Sequence, residues 1–85
     1  MPLASLPEWR FVGHASGTRR FLLDGLNVFE HDWRNVLGEP PAEVRDPLYN
    51  QSFSFPVYEI ISGTKRVVFA AGEFSNNEWG FYQRD

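Results

Sequence analysis

The sequence predicts a small α+β domain in which an antiparallel sheet of four to five strands carries one helix on a face. Residues 52–83 alternate between apolar and polar side chains in the manner of a three-stranded meander, and residues 27–37 have helical spacing. The chain has 85 residues, which is too short for two independent cores. We therefore predict a single domain over 1–85, with residues 1–7 as a loose N-terminal arm.

The first strand of the meander is predicted over 52–61. Phe53, Phe55 and Val57 alternate with polar residues, which is the two-residue period of a strand with one buried face. Pro56 interrupts the run, and proline cannot donate a hydrogen bond to a neighbouring strand. This strand should therefore lie at a sheet edge or carry a bulge at Pro56.

The other two strands of the meander follow tight turns. A Ser-Gly-Thr turn at 62–64 leads into a strand at 66–74 that is apolar on both faces, which is typical of a central strand covered on both sides. A Ser-Asn-Asn turn at 75–77 suits a type I′ hairpin. The last strand, 78–83, places Trp79 and Phe81 on one face and Gly80 and Tyr82 on the other.

The N-terminal half predicts a second hairpin. Weak alternation at 8–15 indicates a strand, 19–23 would be its return partner, and the Asp-Gly dipeptide at 24–25 is a strong turn signal. Residues 42–51 contain an Asp-Pro pair and an asparagine, so they predict a loop with a short strand at 43–45.

The helix is predicted from its cap and its spacing. Asn27 can cap the first turn, with Glu30 three residues later as in a capping box, and Gly38 followed by two prolines would end the helix. Four apolar residues share one helical stripe that would lie on the sheet: Phe29, Trp33, Val36 and Leu37. The competing interpretation is a strand at 26–30 that continues a hairpin across the Asp-Gly turn.

Composition excludes several function classes. The chain has no cysteine, so it has neither disulfides nor thiolate metal sites, which fits a reducing cytoplasm. The first ten residues do not predict a signal peptide, and no apolar run is long enough to predict a membrane span. A net charge of −3 argues against general affinity for nucleic-acid backbones. Nothing in the pattern calls for a cofactor.

The candidate binding residues are aromatic side chains of the meander together with one carboxylate: Trp79, Tyr82, Phe74, Tyr58 and Glu73. Gly72 and Gly80 leave the sheet bare beside these rings, so that either a neighbouring ring or a ligand could lie across the gap. Core packing of the same aromatics is the simpler alternative. Glu73 lies in line with apolar neighbours and could line a pocket or point to solvent.

The sequence offers no catalytic or metal-binding set. Glu30, His31 and Asp32 form the densest polar cluster, but adjacent residues of a helix point about 100° apart and cannot converge on one ion. His14 stands alone on a predicted strand and is interpreted as structural. No nucleophile motif and no glycine-rich phosphate loop is present.

The C-terminal half resembles a known group of proteins. The run VRDPLY, the F-x-F-x-V-Y-x-I strand and the ending FAAGEFSNNEWGFY, which together span 44–82, are similar to short orphan proteins encoded by mobile integron gene cassettes. The resemblance implies a bacterial, cytoplasmic and oligomeric protein of undefined function. It transfers no site residue.

These observations favour a non-enzymatic binding or interaction protein that forms a homodimer or higher homo-oligomer through its sheet. A patch near Trp79 and Tyr82 would give affinity for a small molecule or a protein, and Glu73 with neighbouring arginines would give selectivity. One alternative is an antitoxin or immunity-type protein with an acidic exposed face, built from Glu30, Asp32, Glu39, Glu43 and Asp46. A small pocket enzyme that uses Glu73 or His31 is the other.

Overall fold

The computed structural model describes residues 9–75 and 77–84, and over these residues the chain is almost entirely sheet. The predicted N-terminal arm at 1–7 lies outside the described residues. The elements are β1 (Trp9–Ser16), β2 (Leu22–Leu23), β3 (Leu26–Asn27), the 3-10 turn Val28–Glu30, β4 (Arg34–Asn35), β5 (Ala42–Asp46), β6 (Gln51–Phe55), β7 (Val57–Ser62), β8 (Lys65–Ser75) and β9 (Glu78–Arg84).

Five strands form one antiparallel sheet in the order β1-β9-β8-β7-β4. Strand β8, which is apolar on both faces, lies at the centre between β7 and β9. The remaining strands make two small hairpins, β2–β3 and β5–β6, which are separate from the main sheet. Each hairpin packs on a different face of that sheet, because each contributes to a different one of the two apolar clusters described below.

The prediction of an α+β domain is wrong, because the predicted helix does not form. Asn27 does cap, and its side-chain oxygen accepts a hydrogen bond from the Phe29 N–H at 3.2 Å. The same oxygen also accepts the Phe21 N–H at 3.0 Å, and the Asn27 amide donates to the Arg19 carbonyl at 3.1 Å. These bonds tie Asn27 to the preceding segment. The helical turn ends after three residues, and His31 is extended at φ −131° and ψ 159°.

The apolar stripe that predicted the helix is divided between environments. Phe29 and Trp33 pack on one face of the sheet, whereas Val36 packs on the other, and Leu37 is 94% exposed. The segment is also rich in β-branched and aromatic residues, which form helices less readily than alanine or leucine. The competing strand interpretation was correct in part, since β3 pairs with β2 across the Asp-Gly turn.

Alternation along the strands builds a core on each face of the sheet. In β8, Val67, Phe69 and Ala71 join the first cluster, and Val68 and Ala70 join the second. The first cluster also contains residues of β2–β3 and of the 3-10 turn, together with Trp33 and Trp79. The second cluster contains residues of the hairpin β5–β6. Both faces of the central strand are thus covered by the chain itself.

Pro56 is responsible for the cover on the second face. The strand predicted over 52–61 is divided at this proline, because β6 pairs with β5 whereas β7 pairs with β8. The missing N–H removes one ladder bond at the point where the chain leaves one sheet and enters another. The hairpin β5–β6 then folds back over the sheet, with β5 beside β1.

The hairpins of the main sheet differ in detail from their predicted form. Strand β1 pairs with β9 and not with residues 19–23, and its register shifts between Phe11 and Gly13. The turn before β8 has two residues, since Ser62 pairs with Lys65. Asn77 has a positive φ of 65°, as a hairpin turn requires, while Asn76 lies outside the described residues. Over the described chain, no helix has the length and apolar character needed to cross a bilayer.

Candidate functional site

A groove of about 310 Å³ opens on the face of the sheet that carries the first cluster. Six residues line it: Thr18, Phe29, His31, Asp32, Trp33 and Trp79. Thr18 follows β1, four of the others lie on the 3-10 turn or just after it, and Trp79 projects from β9. The groove therefore lies where the cover formed by the β2–β3 region meets the end of the sheet.

The walls of the groove are aromatic. The rings of Trp33 and Trp79 are 5.2 Å apart at an interplanar angle of 80°, and the rings of Phe29 and Trp33 are 5.8 Å apart at 35°. Trp33 is held in place because its Nε1 donates to the Val28 carbonyl at 2.7 Å. The Nε1 of Trp79 is buried and has no hydrogen-bond acceptor among the described residues. The two indoles thus form a corner, in which Trp33 is fixed by a hydrogen bond.

The rim of the groove is polar. His31 is half-buried and Asp32 is exposed, and both line the groove because the chain is extended after the 3-10 turn. The Asp32 carboxylate makes no hydrogen bond or ion pair with any described residue. An unpaired carboxylate beside aromatic walls can attract a cationic group.

The five predicted site residues do not form one surface. Trp79 lines the groove, and Tyr58 lies behind it with its ring 5.2 Å from that of Trp33. Tyr82 and Phe74 are on the opposite face, where both contact Phe55.

Glu73 belongs to neither aromatic surface. It is exposed, does not line the groove, and accepts a hydrogen bond from the Asn77 N–H at 3.2 Å. The role predicted for Glu73 beside the aromatic patch therefore has no geometric support.

The two glycines that leave the sheet bare are paired with each other and covered by rings of the same chain. Gly72 lies opposite Gly80 in the β8–β9 ladder. A Cβ at Gly72 would collide with the ring of Phe55, and one at Gly80 would lie 2.8 Å from the ring of Phe74. Of the two predicted alternatives, a neighbouring ring rather than a ligand occupies this gap.

The opposite face contains a buried polar network around Asp46, which is 0% exposed. The Tyr82 hydroxyl donates to Asp46 Oδ2 at 2.5 Å, and His14 Nε2 lies 2.6 Å from the same oxygen. The backbone N–H groups of Leu48 and Tyr49 donate to Oδ1 at 2.9 and 3.0 Å. Because an ionised carboxylate only accepts, the His14 tautomer in this contact carries its proton on Nε2.

Two groups of this network have shifted pKa values. Burial opposes the ionisation of Asp46, but hydrogen bonds from Tyr82 and His14, with one from a backbone amide, outweigh it and lower the pKa of the carboxyl. Burial, and then the bond to the carboxylate, raises the pKa of the Tyr82 hydroxyl well above its ordinary value. Both shifts favour an ionised Asp46 that accepts from a neutral Tyr82.

The network continues to the surface. Glu78 Oε2 lies 3.8 Å from His14 Nδ1, and the Tyr49 hydroxyl donates to Glu78 Oε1 at 2.8 Å. This hydrogen bond raises the pKa of Tyr49. The chain of contacts from Tyr82 to Tyr49 ties the turn after β5 to β1 and β9, and so fixes the hairpin that covers the second face.

Sequence reasoning missed Asp46 and misplaced two residues of the groove. Asp46 was assigned to an exposed acidic face, although it continues the inward alternation of Ala42 and Val44, and this period-two pattern could have revealed it. Phe29 and Trp33 were assigned to a helical stripe. Glu39 also does not contribute a free charge to the proposed acidic face, since both of its carboxylate oxygens accept hydrogen bonds from Arg84 at 3.2 Å.

The described residues contain no group of three or more histidine or acidic side chains that could hold a metal ion. A scan against protein-family models, a search of curated proteins and a search of solved structures each found no match for this chain. The similarity to integron-cassette proteins stays a prediction.

Proposed function

We propose that this chain is a binding protein whose ligand is a small organic molecule held in the aromatic groove. The observation that carries the proposal is the corner formed by Trp33 and Trp79, which come from distant parts of the chain and leave a groove of about 310 Å³ between cover and sheet. Concave, mostly apolar sites with a few polar groups are the usual form of small-molecule sites. The groove is at the lower end of their size range, which favours a compact ligand.

The groove is better supported as a binding site than the second face of the sheet, the acidic face or a pocket at Glu73. On the second face of the sheet, Phe55 and Phe74 fill the space above the glycine pair. The acidic face of an antitoxin or immunity protein loses Asp46 to the interior and has Glu39 paired with Arg84. The pocket-enzyme alternative loses Glu73, which is exposed and does not line the groove, whereas its other candidate residue, His31, does line it.

Self-association remains part of the proposal, although its original reason has changed. The sequence predicts that the second face of the central strand is covered either by a partner subunit or by the N-terminal hairpin, and in the structure the hairpin β5–β6 supplies that cover. Its support is now limited to exposed apolar side chains such as Leu37 and Leu48. Light scattering over a concentration series tests it, and a constant monomer mass would contradict it. We place the protein in the cytoplasm, consistent with the absence of cysteine.

The groove is tested with two uncharged probes, indole and 3,3-dimethylbutan-1-ol, by NMR titration of ¹⁵N-labelled protein. We expect shifts of the Trp33 and Trp79 indole N–H signals and of the Thr18 amide, with no change in the hairpin β5–β6. Binding of such fragments should be weak, in the millimolar range or above, because seven to nine heavy atoms at roughly 0.3–0.5 kcal/mol each give only about 2–4.5 kcal/mol in an open groove.

Two variants locate the site. Trp33→Leu removes one wall and should abolish the shifts, while Trp9→Leu on the opposite face is the matched control and should leave them intact. Because Trp33 also packs in the core, Thr18→Gln, which crowds the groove from an exposed position, serves as the second variant. Shifts that are absent in the wild type, or that persist unchanged in both groove variants, would contradict the proposed function.

A further inference from the structure

We propose that the ligand of the groove carries an alkylated ammonium group, which would lie in the corner of Trp33 and Trp79 with Asp32 facing its charge. This inference rests on the proposed function of the groove and specifies the chemistry of its ligand. It follows from three features: the state of the carboxylates, the arrangement of the rings, and the shortage of hydrogen-bond acceptors in the walls.

The carboxylate of Asp32 differs from most others in the described chain because it has no partner. Glu39 pairs with Arg84, Glu59 pairs with Arg66, and Asp46 accepts four hydrogen bonds. Others accept hydrogen bonds as well: Asp24 from Gln83, Glu43 from Ser54, Glu73 from the Asn77 amide and Glu78 from Tyr49.

The carboxylates of Asp32 and Glu30 make no hydrogen bond or ion pair with described residues, and of these two residues only Asp32 lines the groove. The basic residues Arg19 and Arg34 neighbour lining residues in sequence, but neither lines the groove. Asp32 is therefore the one acidic side chain that lines the groove, and no lysine or arginine lines it.

The rings are arranged to receive a cation. An aromatic face carries partial negative charge, and a cation within about 6 Å of a ring centroid is attracted to it, most strongly for tryptophan. Two indoles at 80° to each other allow a single charged group to contact both rings. The chain already uses this contact on its other face, where the Arg84 guanidinium carbon lies 4.8 Å from the centroid of Trp9.

The walls favour an alkylated ammonium over a bare one. An unsubstituted ammonium has three N–H donors and loses its hydration when it enters a site with too few acceptors. The three aromatic walls have no acceptor, so the side-chain acceptors lie only on the rim, at Asp32, His31 and Thr18. Methyl groups on nitrogen remove the donors, retain the charge and bury apolar surface against the rings. Quaternary and methylated ammonium groups are therefore matched to this groove.

The test compares choline with 3,3-dimethylbutan-1-ol, which has the same shape and hydroxyl but no charge. We expect choline to bind about 10-fold more tightly in NMR titrations, because a cation–π contact and one carboxylate near the surface each contribute roughly 2- to 5-fold. Asp32→Asn should weaken choline binding about 2- to 5-fold and leave the uncharged probe unchanged. Glu30→Gln is the matched control, since it removes the same charge outside the groove and should alter neither affinity by more than about 2-fold.

The outcomes separate this inference from the proposed function. Equal binding of both probes in the groove, or binding of indole alone, would overturn the ammonium inference and leave the binding function intact, whereas binding of none of the three compounds would overturn both. An equal effect of Asp32→Asn and Glu30→Gln would also overturn the inference, because it would show a response to net charge alone. Choline and the N-acetylated amide of trimethyllysine then distinguish the source: tighter binding of the first indicates a free metabolite, and of the second a methylated protein side chain.

Discussion

Replacement of Tyr82 by phenylalanine tests the buried network that fixes the hairpin β5–β6. The change removes only the hydroxyl that donates to Asp46 Oδ2 at 2.5 Å, and the ring that packs between Phe11 and Phe55 is retained. Both Tyr82 and Asp46 are 0% exposed, so water cannot simply replace the lost donor. The carboxylate would keep its charge with one hydrogen bond fewer.

The expected loss of stability follows from the charge and the burial of this bond. A hydrogen bond to a charged group contributes about 1.5–3 kcal/mol to folding. A chain of this length has a total free energy of unfolding of roughly 4–13 kcal/mol. Since 1 kcal/mol shifts the melting temperature of a domain of this size by about 4–8 °C, we expect Tyr82→Phe to melt roughly 6–24 °C below the wild type.

Urea unfolding followed by tryptophan fluorescence measures the effect, and Tyr49→Phe is the matched control. Tyr49 also donates its hydroxyl to a carboxylate, that of Glu78 at 2.8 Å, but it is 41% exposed. Loss of the Tyr49 hydroxyl should lower the free energy of unfolding by less than about 1 kcal/mol, because water can replace it as the donor to Glu78. A cost of Tyr82→Phe no greater than that of Tyr49→Phe would refute the placement of Asp46 in a closed network.

Three further predictions concern stability. Because folding lowers the pKa of Asp46, its ionised form contributes stability that is fully present above the unfolded-state pKa near 3.8 and is lost as pH falls through the folded-state value. At pH values below about 4, the urea concentration at the unfolding midpoint should therefore decrease, and the difference in midpoint between wild type and Tyr82→Phe should become smaller. A difference that stays constant with pH would contradict this prediction. Gly72→Ala should cost about 1–3 kcal/mol in urea unfolding, because its methyl group would displace the ring of Phe55, and a neutral result would be inconsistent with that contact. Asn27→Ala should lower the free energy of unfolding by about 1–2 kcal/mol in thermal unfolding, because the cap and the bonds to the segment before β2 are lost. The exposed Asn35→Ala is a near-neutral control, and equal effects would show that the Asn27 contacts are weak.

The meander could be predicted because its signals are local. The β8 segment is apolar on both faces, which is sufficient to place it in the middle of a sheet, and the Gly63 turn fixes which strand precedes it. Even within these signals the sequence left one point open. Pro56 indicated an interruption, but its result, a strand that changes sheets, depends on a partner strand β5 that local pattern showed only weakly.

Residues 27–37 could not be predicted for the opposite reason. Their spacing suits a helix, and Asn27 caps in either structure, so the local sequence does not decide between the alternatives. Contacts distant in sequence decide it instead. Trp33 packs on Trp79 from β9, and Asn27 makes hydrogen bonds to the segment before β2. A helix over 27–37 would not allow both contacts at the same time.

The candidate site was partly within reach of the sequence. Alternation in β9 places Trp79 and Tyr82 on opposite faces, so a single patch containing both was inconsistent with the strand itself. Trp79 was correctly placed on a strand, but its neighbour Trp33 and the free carboxylate Asp32 were assigned to a helix. A groove that forms between two elements cannot be read from the pattern of either one.

The two faces of the sheet are closed in different ways, and this difference connects stability with the proposed binding. The second face is covered by the hairpin β5–β6, which the buried carboxylate of Asp46 fixes to β1 and β9. The first face is covered by two short strands and a single helical turn, which leave a groove open beside Trp79. Sites on opposite faces that share no partner should act independently. The double variant Tyr82→Phe with Asp32→Asn should therefore lose the stability of the first change and the ligand affinity of the second, without further loss of either. A non-additive result in the groove would mean that the buried network also positions β9 and Trp79, and the separation of the two faces would then be incorrect.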